Sequence, residues 1–350
     1  SLGGMELLTA ASATLGALAV GVLLTARRAG WSLPVAVACW FPVVFLLTGR
    51  MYVRPEVVTL VCMSVFLTVF FHAQDRPRLL WALVPLQILW VNVQGLFILG
   101  IVLSGFYWIE GAWLRLWRRP ESRLGRRTAI LMTLIGVSLC NPYYIRGLLF
   151  PIELFRKMSW DADFYSKHIS ELQSIPQFIA QAGVWQFYIL LHLGLGALAT
   201  ASFLFAWSHR RFDLFRLLTF AAFAWLGLQA TRNSGQFALV AGAVTAWNFG
   251  EWFAARAVRR IAEEDSQRIE DRGLRIEVGS QPRSTSGNPL SSILYPHFLR
   301  AALALILIVA AWSVVTGRFY ELAGEGRVFG LGEHPLWPAH DAARFAAQPG

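Results

Sequence analysis

Residues 57–73 read VVTLVCMSVFLTVFFHA, a run with no acidic residue, lysine or arginine. Arg54 and Glu56 stand just before this run, and residues 74–78 (QDRPR) close it. Because a helix rises about 1.5 Å per residue, some 17–25 apolar residues cross the roughly 30 Å hydrocarbon core of a bilayer. The stretch therefore predicts a membrane-spanning helix with charges at both ends.

The same pattern recurs along the chain. Hydrophobic residues make up 56% of the 350 residues and charged ones 15%, against about 25% charged in soluble domains. In lipid each helix satisfies its own backbone, so this pattern indicates an all-α, polytopic transmembrane helical bundle. About ten spans are predicted, at residues 5–26, 31–49, 57–73, 79–90, 96–114, 128–140, 184–207, 212–230, 237–255 and 298–316.

Two of these runs are short. Residues 79–90 and 128–140 fall below the roughly 17 positions that a perpendicular span needs. Each runs into a polar motif, so each either completes its crossing with backbone buried in protein or is re-entrant.

The basic residues indicate an orientation. If Arg27 and Arg28 are cytoplasmic and the spans alternate, the arginine clusters at 115–127 and 256–260 fall on the same side. This asymmetry follows the positive-inside rule. The net charge of +10 is thereby explained by cytoplasmic loops, and nucleic acid is not a predicted partner.

Four segments are predicted along the chain. Residues 1–258 form the transmembrane core, and 259–292, charged and then rich in Ser, Gly and Pro, form a flexible cytoplasmic linker. Residues 293–318 hold the last transmembrane helix. Residues 319–350 begin an extracytoplasmic region, and the chain is expected to be a fragment of a longer protein.

Polar residues of unusual type collect on the predicted outer side. Arg50, Arg54 and Glu56 lie in the loop RMYVRPE, where the positive-inside rule disfavours arginine. These side chains are either interfacial charges that reach to the surface or ligands for an anionic group such as phosphate, which guanidinium binds bidentately.

Two short motifs end spans on this side. In the first, Trp90, Asn92 and Gln94 precede Gly95, and the two amides are either part of a simple turn or partners for sugar hydroxyls. In the second, Asn141-Pro142-Tyr143 is foremost a turn signal, with Asn141 and Tyr143 as candidate binding residues.

A further arginine interrupts an apolar pattern at Arg232, next to Asn233. An arginine within a membrane segment marks a functional site by default, although an ion pair with Glu56 or Glu171 would also explain it. Candidate general bases and their assistant are found in the long outer loop, namely Asp161, Asp163, His168 and Glu171. No metal site is predicted, because no second histidine stands at ligand spacing.

The order of these motifs, R-x-x-x-RPE, W-x-N-x-x-G, NPY, I-S-E and RN, resembles a bacterial branch of the GT-C superfamily over most of residues 50–247. That branch is similar to the protein O-mannosyltransferase and aminoarabinose-transferase groups. Gln94 and Leu172 depart from its usual His and Trp. Its main acidic residue lies in a first outer loop that is absent from this chain.

The resemblance implies a glycosyltransferase of the bacterial inner membrane with its active face outside the cytoplasm. A polyprenyl-phosphate-linked sugar would be the donor, and a glycan, lipid or protein the acceptor. No other cofactor is predicted, and use of a divalent metal stays open. Two alternatives remain: a transporter or flippase for a lipid-linked or anionic substrate, and a catalytically inactive scaffold of the same fold.

Overall fold

The structure is a computed structural model of the chain. It describes residues 4–26, 33–49, 54–119, 123–160, 168–183, 185–208 and 213–277, and isolated positions between 305 and 321. Every regular element in these ranges is helical, which confirms the all-α prediction. In chain order the α-helices are α1 Gly4–Thr25, α2 Leu33–Thr48, α3 Glu56–His72, α4 Leu83–Val93, α5 Ile98–Leu116, α6 Leu124–Val137, α7 Tyr144–Trp160, α8 Ile175–Ala182, α9 Phe187–Ser208, α10 Leu214–Gln229 and α11 Ser234–Glu277.

Short 3₁₀ turns join several of these helices. They are Pro77–Ala82, Gly95–Phe97, Ser170–Leu172 and Thr231–Asn233. The last three lie next to polar motifs on which the sequence analysis placed candidate binding residues, so these motifs occupy tight connections between helices.

Three helical segments in the described part are long and apolar enough to cross a bilayer: Leu7–Thr25, Gly95–Leu116 and Phe187–Ser208. Shorter apolar helices cover Cys39–Thr48, Glu56–His72, Pro77–Val93 and Leu214–Gln229. The chain thus has the helices of a membrane protein, while the predicted count of about ten spans stays a prediction.

Helix α11 forms the centre of the bundle. Every residue from 234 to 248 is buried, and this part of α11 packs against α2, α9 and α10. A helix that is apolar on all sides is stable only when neighbours surround it. Trp247 ties this centre to the first helices, since its ring stacks on Phe71 at 5.0 Å and its Nε1 donates to the carbonyl of Ala26 at 2.9 Å.

Buried ion pairs join α5 to α6 and α10 to α11 at one end of the bundle. Arg127 of α6 bonds Glu110 of α5 at 2.8 Å, and its guanidinium lies 3.9 Å from the ring centroid of Tyr107. Arg216 of α10 bonds Glu251 of α11 at 2.7 Å and Asp213 at 3.0 Å. Arg127 belongs to the basic cluster that the sequence assigned to a cytoplasmic loop, and no sequence pattern marked Arg216, yet both side chains are buried.

The last helix extends beyond the predicted core. Helix α11 continues to Glu277, so the backbone of 259–277 is helical where the sequence predicted a flexible linker. The long helix needs no break there because residues 262–277 contain one glycine, Gly273, and no proline. Residues 278–292 and the predicted C-terminal region 319–350, apart from Glu321, lie outside the described residues, and the last predicted span is described only at isolated positions.

Candidate functional site

Two ion pairs bring together residues far apart in sequence at one end of the bundle. Arg54 Nη1 bonds the carboxylate of Glu171 at 2.7 Å across 117 positions of chain. Arg232 bonds the carboxylate of Glu56 across 176 positions. All four residues were candidates from sequence, and we call them the arginine–carboxylate cluster.

Backbone contacts hold this cluster in place. The amide of Thr231 donates to the carbonyl of Gln173 at 2.9 Å, and its hydroxyl donates to the carbonyl of Glu171 at 3.2 Å. These bonds set the 3₁₀ turns Ser170–Leu172 and Thr231–Asn233 side by side. Asn233 fixes the second turn from behind, since its Nδ2 donates to the carbonyl of Leu226 at 2.9 Å.

The cluster is only partly buried. The side chains of Arg54 and Arg232 are 44% and 41% exposed, and those of Glu171 and Glu56 are 26% and 21% exposed. Ion pairs at this exposure contribute about 0–1 kcal/mol, because water solvates the separated charges well. An anion from solvent can therefore replace the carboxylate partner of either arginine at little cost in free energy.

A pocket of about 260 Å³ opens beside the cluster, between the ends of α2, α9 and α11 and the start of α8. Its polar residues span a range of chemistry, from a carboxylate to hydroxyls, an amide, a phenol and an imidazole. The lining residues are Leu46, Gly49, Glu171, Ile175, Phe178, Gln186, Tyr188, Ile189, His192, Thr231 and Ser234.

The Trp-x-Asn motif connects neighbouring helices. Trp90 is fully buried, packs its ring against Phe66 at 5.6 Å and donates from Nε1 to Thr59 at 3.3 Å. Asn92 links α4 to the end of α6 through the carbonyl of Cys140 at 2.8 Å. Gln94 caps the next turn by accepting from the amide of Leu96. The interactions seen for Trp90, Asn92 and Gln94 are thus those of a helix joint, and the binding role predicted for them stays a prediction.

Asn141 also has a structural role. Its Nδ2 donates to the carbonyl of Ser138 at 2.8 Å and to that of Tyr144 at 3.1 Å, while its Oδ1 accepts from the amide of Tyr143 at 2.8 Å. Tyr144 has a φ of 48°, an uncommon conformation for a residue with a side chain. Tyr143 by contrast is 73% exposed, so the motif presents one ring to its surroundings.

The remaining candidates divide into two groups. His168 is exposed and lies two residues before the Ser170–Leu172 turn that carries Glu171. Arg50, Asp161 and Asp163 lie outside the described residues. Within the described ranges, no group of three or more His, Cys, Asp or Glu side chains could hold a metal ion.

Sequence reasoning missed the inner wall of the pocket. His192 and Tyr188 stand in the apolar run of α9, and Ser234 begins α11, so no motif marks them. A signal was nonetheless present, because an ionisable residue within a run long enough to span a membrane is rare without a function.

No family model, curated protein or solved structure matches the chain.

Proposed function

We propose that the chain is a GT-C-like membrane glycosyltransferase that moves a sugar from a polyprenyl-phosphate carrier to an acceptor at the outer face of the membrane. The observation that carries the proposal is the arginine–carboxylate cluster, in which two half-exposed guanidinium groups pair with two carboxylates, one of which, Glu171, lines the pocket. The resemblance of the motif order adds the reaction class.

The cluster has the charge balance that such a transfer needs. In the reaction the bond between the sugar C1 and a phosphate oxygen breaks, and an acceptor hydroxyl oxygen forms the new bond to C1. The lipid phosphate gains one negative charge, which Arg54 and Arg232 would neutralise. The proton of the acceptor hydroxyl passes to a carboxylate, and one base suffices for a single displacement.

Glu171 is the base that we assign among the described residues. It lines the pocket and bonds Arg54, so a phosphate that recruits Arg54 also releases the Glu171 carboxylate for proton transfer. Glu56 is paired with Arg232 in the same way. Asp161 and Asp163 remain candidate bases, as the sequence predicted.

The proposal includes the predicted membrane topology. About ten spans in a bacterial inner membrane, with the cluster outside the cytoplasm, put it at the level of lipid headgroups. A polyprenyl phosphate could then reach the arginines from the bilayer while its chain stays in lipid.

A transporter or flippase is the second candidate, and one observation favours it. His192 is a buried ionisable residue inside a helix that is long enough to span the bilayer. Such residues are typical of transport pathways. The two functions differ in their product, since transport moves the lipid-linked sugar across the bilayer unchanged.

The test is turnover of a radiolabelled polyprenyl-phosphate sugar by the chain in liposomes, with the acceptor supplied as a lipid and glycan extract. We expect transfer or slow hydrolysis of the sugar, reduced at least 100-fold in Arg54→Ala and Arg232→Ala, because each removes a charge-assisted contact to the leaving phosphate. Arg156→Ala is the matched control, since it removes an arginine of α7 that contacts Trp160 and no residue of the cluster. Unchanged turnover in both cluster variants, or movement of intact lipid without cleavage, would contradict the proposal.

A further inference from the structure

The pocket beside the cluster has a buried end, which we call its floor, and the residue there, His192, does not belong to the cluster. His192 is 3% exposed and lines the pocket, six residues along the chain from Gln186 at the rim. At about 1.5 Å per residue, the backbone of His192 lies about 9 Å further along the axis of α9 than the exposed Gln186, which precedes the helix. The pocket thus leads from the charged mouth into the apolar part of the bundle.

The imidazole of His192 is oriented by its neighbours but lacks a hydrogen-bond partner at one nitrogen. Its ring stacks on Phe237 at 4.2 Å, and Nδ1 has no partner among the described residues. Gly227 of α10 permits this position, because a Cβ there would lie 3.0 Å from the Cε1 of His192. Leaving a buried polar atom unbonded costs about 1–3 kcal/mol, so a ligand or water that completes the bond is favoured.

One wall of the pocket is built by an aromatic ring against a glycine. A Cβ at Gly49 would come within 2.6 Å of the Cε1 of Tyr188, so the Tyr188 ring lies directly on the α2 backbone. Phe178 of α8 adds a second aromatic side chain. Sugar rings carry C–H faces and hydroxyl edges, and they pack on aromatic rings while polar groups bind their edges.

The size and charge of the pocket limit what it can hold. Its volume of about 260 Å³ lies just below the roughly 300–1,000 Å³ of common ligand pockets, which leaves room for one ring and none for a prenyl chain. Among the described residues that line it, Glu171 is the one carboxylate, and it bonds Arg54. Apart from Glu171 and His192, the described residues that line the pocket are uncharged, so an ammonium or a carboxylate at its buried end would be desolvated beside no other counter-charge.

We propose that this pocket binds the sugar of the lipid-linked donor as a single uncharged ring, with His192 bonding one of its hydroxyls at the floor. The inference rests on the proposed function and adds the substrate class, a neutral hexose or pentose in place of an amino sugar or uronic acid. His192 is a specificity-determining residue, and the arginine–carboxylate cluster binds the phosphate.

The test distinguishes sugar binding in the pocket from phosphate binding by the cluster. Two lipids are titrated against the full chain in nanodiscs, and binding is measured by native mass spectrometry. Polyprenyl methyl phosphate, a diester with the same charge as the donor, reports the cluster, and polyprenyl-phosphate hexose reports the cluster and the pocket. We expect the hexose to tighten binding about tenfold, as one added hydrogen bond to a buried group would. His192→Leu should lose this gain and bind both lipids alike, whereas His192→Gln should keep most of it.

The matched control is His72→Leu, which removes a histidine near the other end of α3 that bonds the carbonyl of Thr25. It should bind both lipids as the wild type does. If the methyl diester binds but the hexose adds nothing, or if His192→Leu keeps the gain, the inference is overturned and the proposed function stands. If neither lipid binds the wild type, both are overturned.

A second measurement needs no variant and therefore does not depend on the folding of His192→Leu. A polyprenyl phosphate that carries a 2-amino hexose should bind the wild type no tighter than the methyl diester. A gain equal to that of the neutral hexose would overturn the predicted preference for an uncharged ring.

Discussion

At the scale of single residues, motifs of similar appearance have different roles. Asn141 is 8% exposed and makes three hydrogen bonds to backbone groups, while Tyr143, two positions on, points into its surroundings. Arg54 and Arg232 are paired yet half-exposed, which leaves them available to an incoming anion. Burial and partners therefore separate residues that hold the fold from residues that can bind.

This distinction predicts opposite outcomes at two neighbouring positions. Asn141→Ala should lower the free energy of unfolding by about 1–3 kcal/mol, because it removes three hydrogen bonds, of which the one to the carbonyl of Ser138 is buried. Tyr143→Ala should change that free energy by less than about 0.5 kcal/mol, as surface substitutions do. Denaturant titration in mixed micelles measures both. Equal losses in the two variants would show that the Asn141 bonds do not secure the turn.

At the scale of helices, buried charge replaces part of the apolar packing at the end opposite the cluster. Arg127 bonds both the carboxylate of Glu110 and the carbonyl of Tyr107, so it joins α6 to two successive turns of α5. Its side chain is 1% exposed and that of Glu110 is 9% exposed. Removing one partner of such a pair leaves the other charge buried without a counter-charge, whereas replacing both partners with apolar residues leaves no buried charge.

The expected energies follow from that asymmetry. Arg127→Leu should destabilise the chain by about 3–5 kcal/mol, because Glu110 is left without its counter-charge. The double variant Arg127→Leu/Glu110→Leu should recover a substantial part of this loss. Arg126→Leu is the control, being the exposed neighbour on the same helix. The same micelle titration decides the point, and a double variant less stable than Arg127→Leu would refute the reasoning.

At the scale of the whole molecule, apolar run length predicted the helices well. The runs at 57–73 and 184–207 correspond to α3 and α9, because uninterrupted apolar sequence leaves a helix as the only way to satisfy the backbone. The linker prediction differs from the structure over 259–277, where polarity indicated a flexible segment but the low content of glycine and proline permits a helix. Charge alone does not distinguish a solvated helix from a coil.

The site was predictable in part for a physical reason. Arginines and carboxylates stand out in apolar sequence, and alternation of the predicted spans assigns Arg54, Glu56, Glu171 and Arg232 to one side. The sequence predicted either Glu56 or Glu171 as an ion-pair partner of Arg232, and the structure shows Glu56, a choice that depends on the packing of the helices. The pocket floor at His192 was not predicted for the same reason, since Gly227 and Phe237 reach it from other helices.

The central claim is that the arginine–carboxylate cluster binds the phosphate of a lipid carrier. An experimental structure of the chain in nanodiscs with polyprenyl phosphate tests it most directly. The account predicts the phosphate within hydrogen-bond distance of Arg54 and Arg232, with the Arg54–Glu171 contact opened from its present 2.7 Å. A phosphate bound elsewhere, with both ion pairs intact, would contradict it.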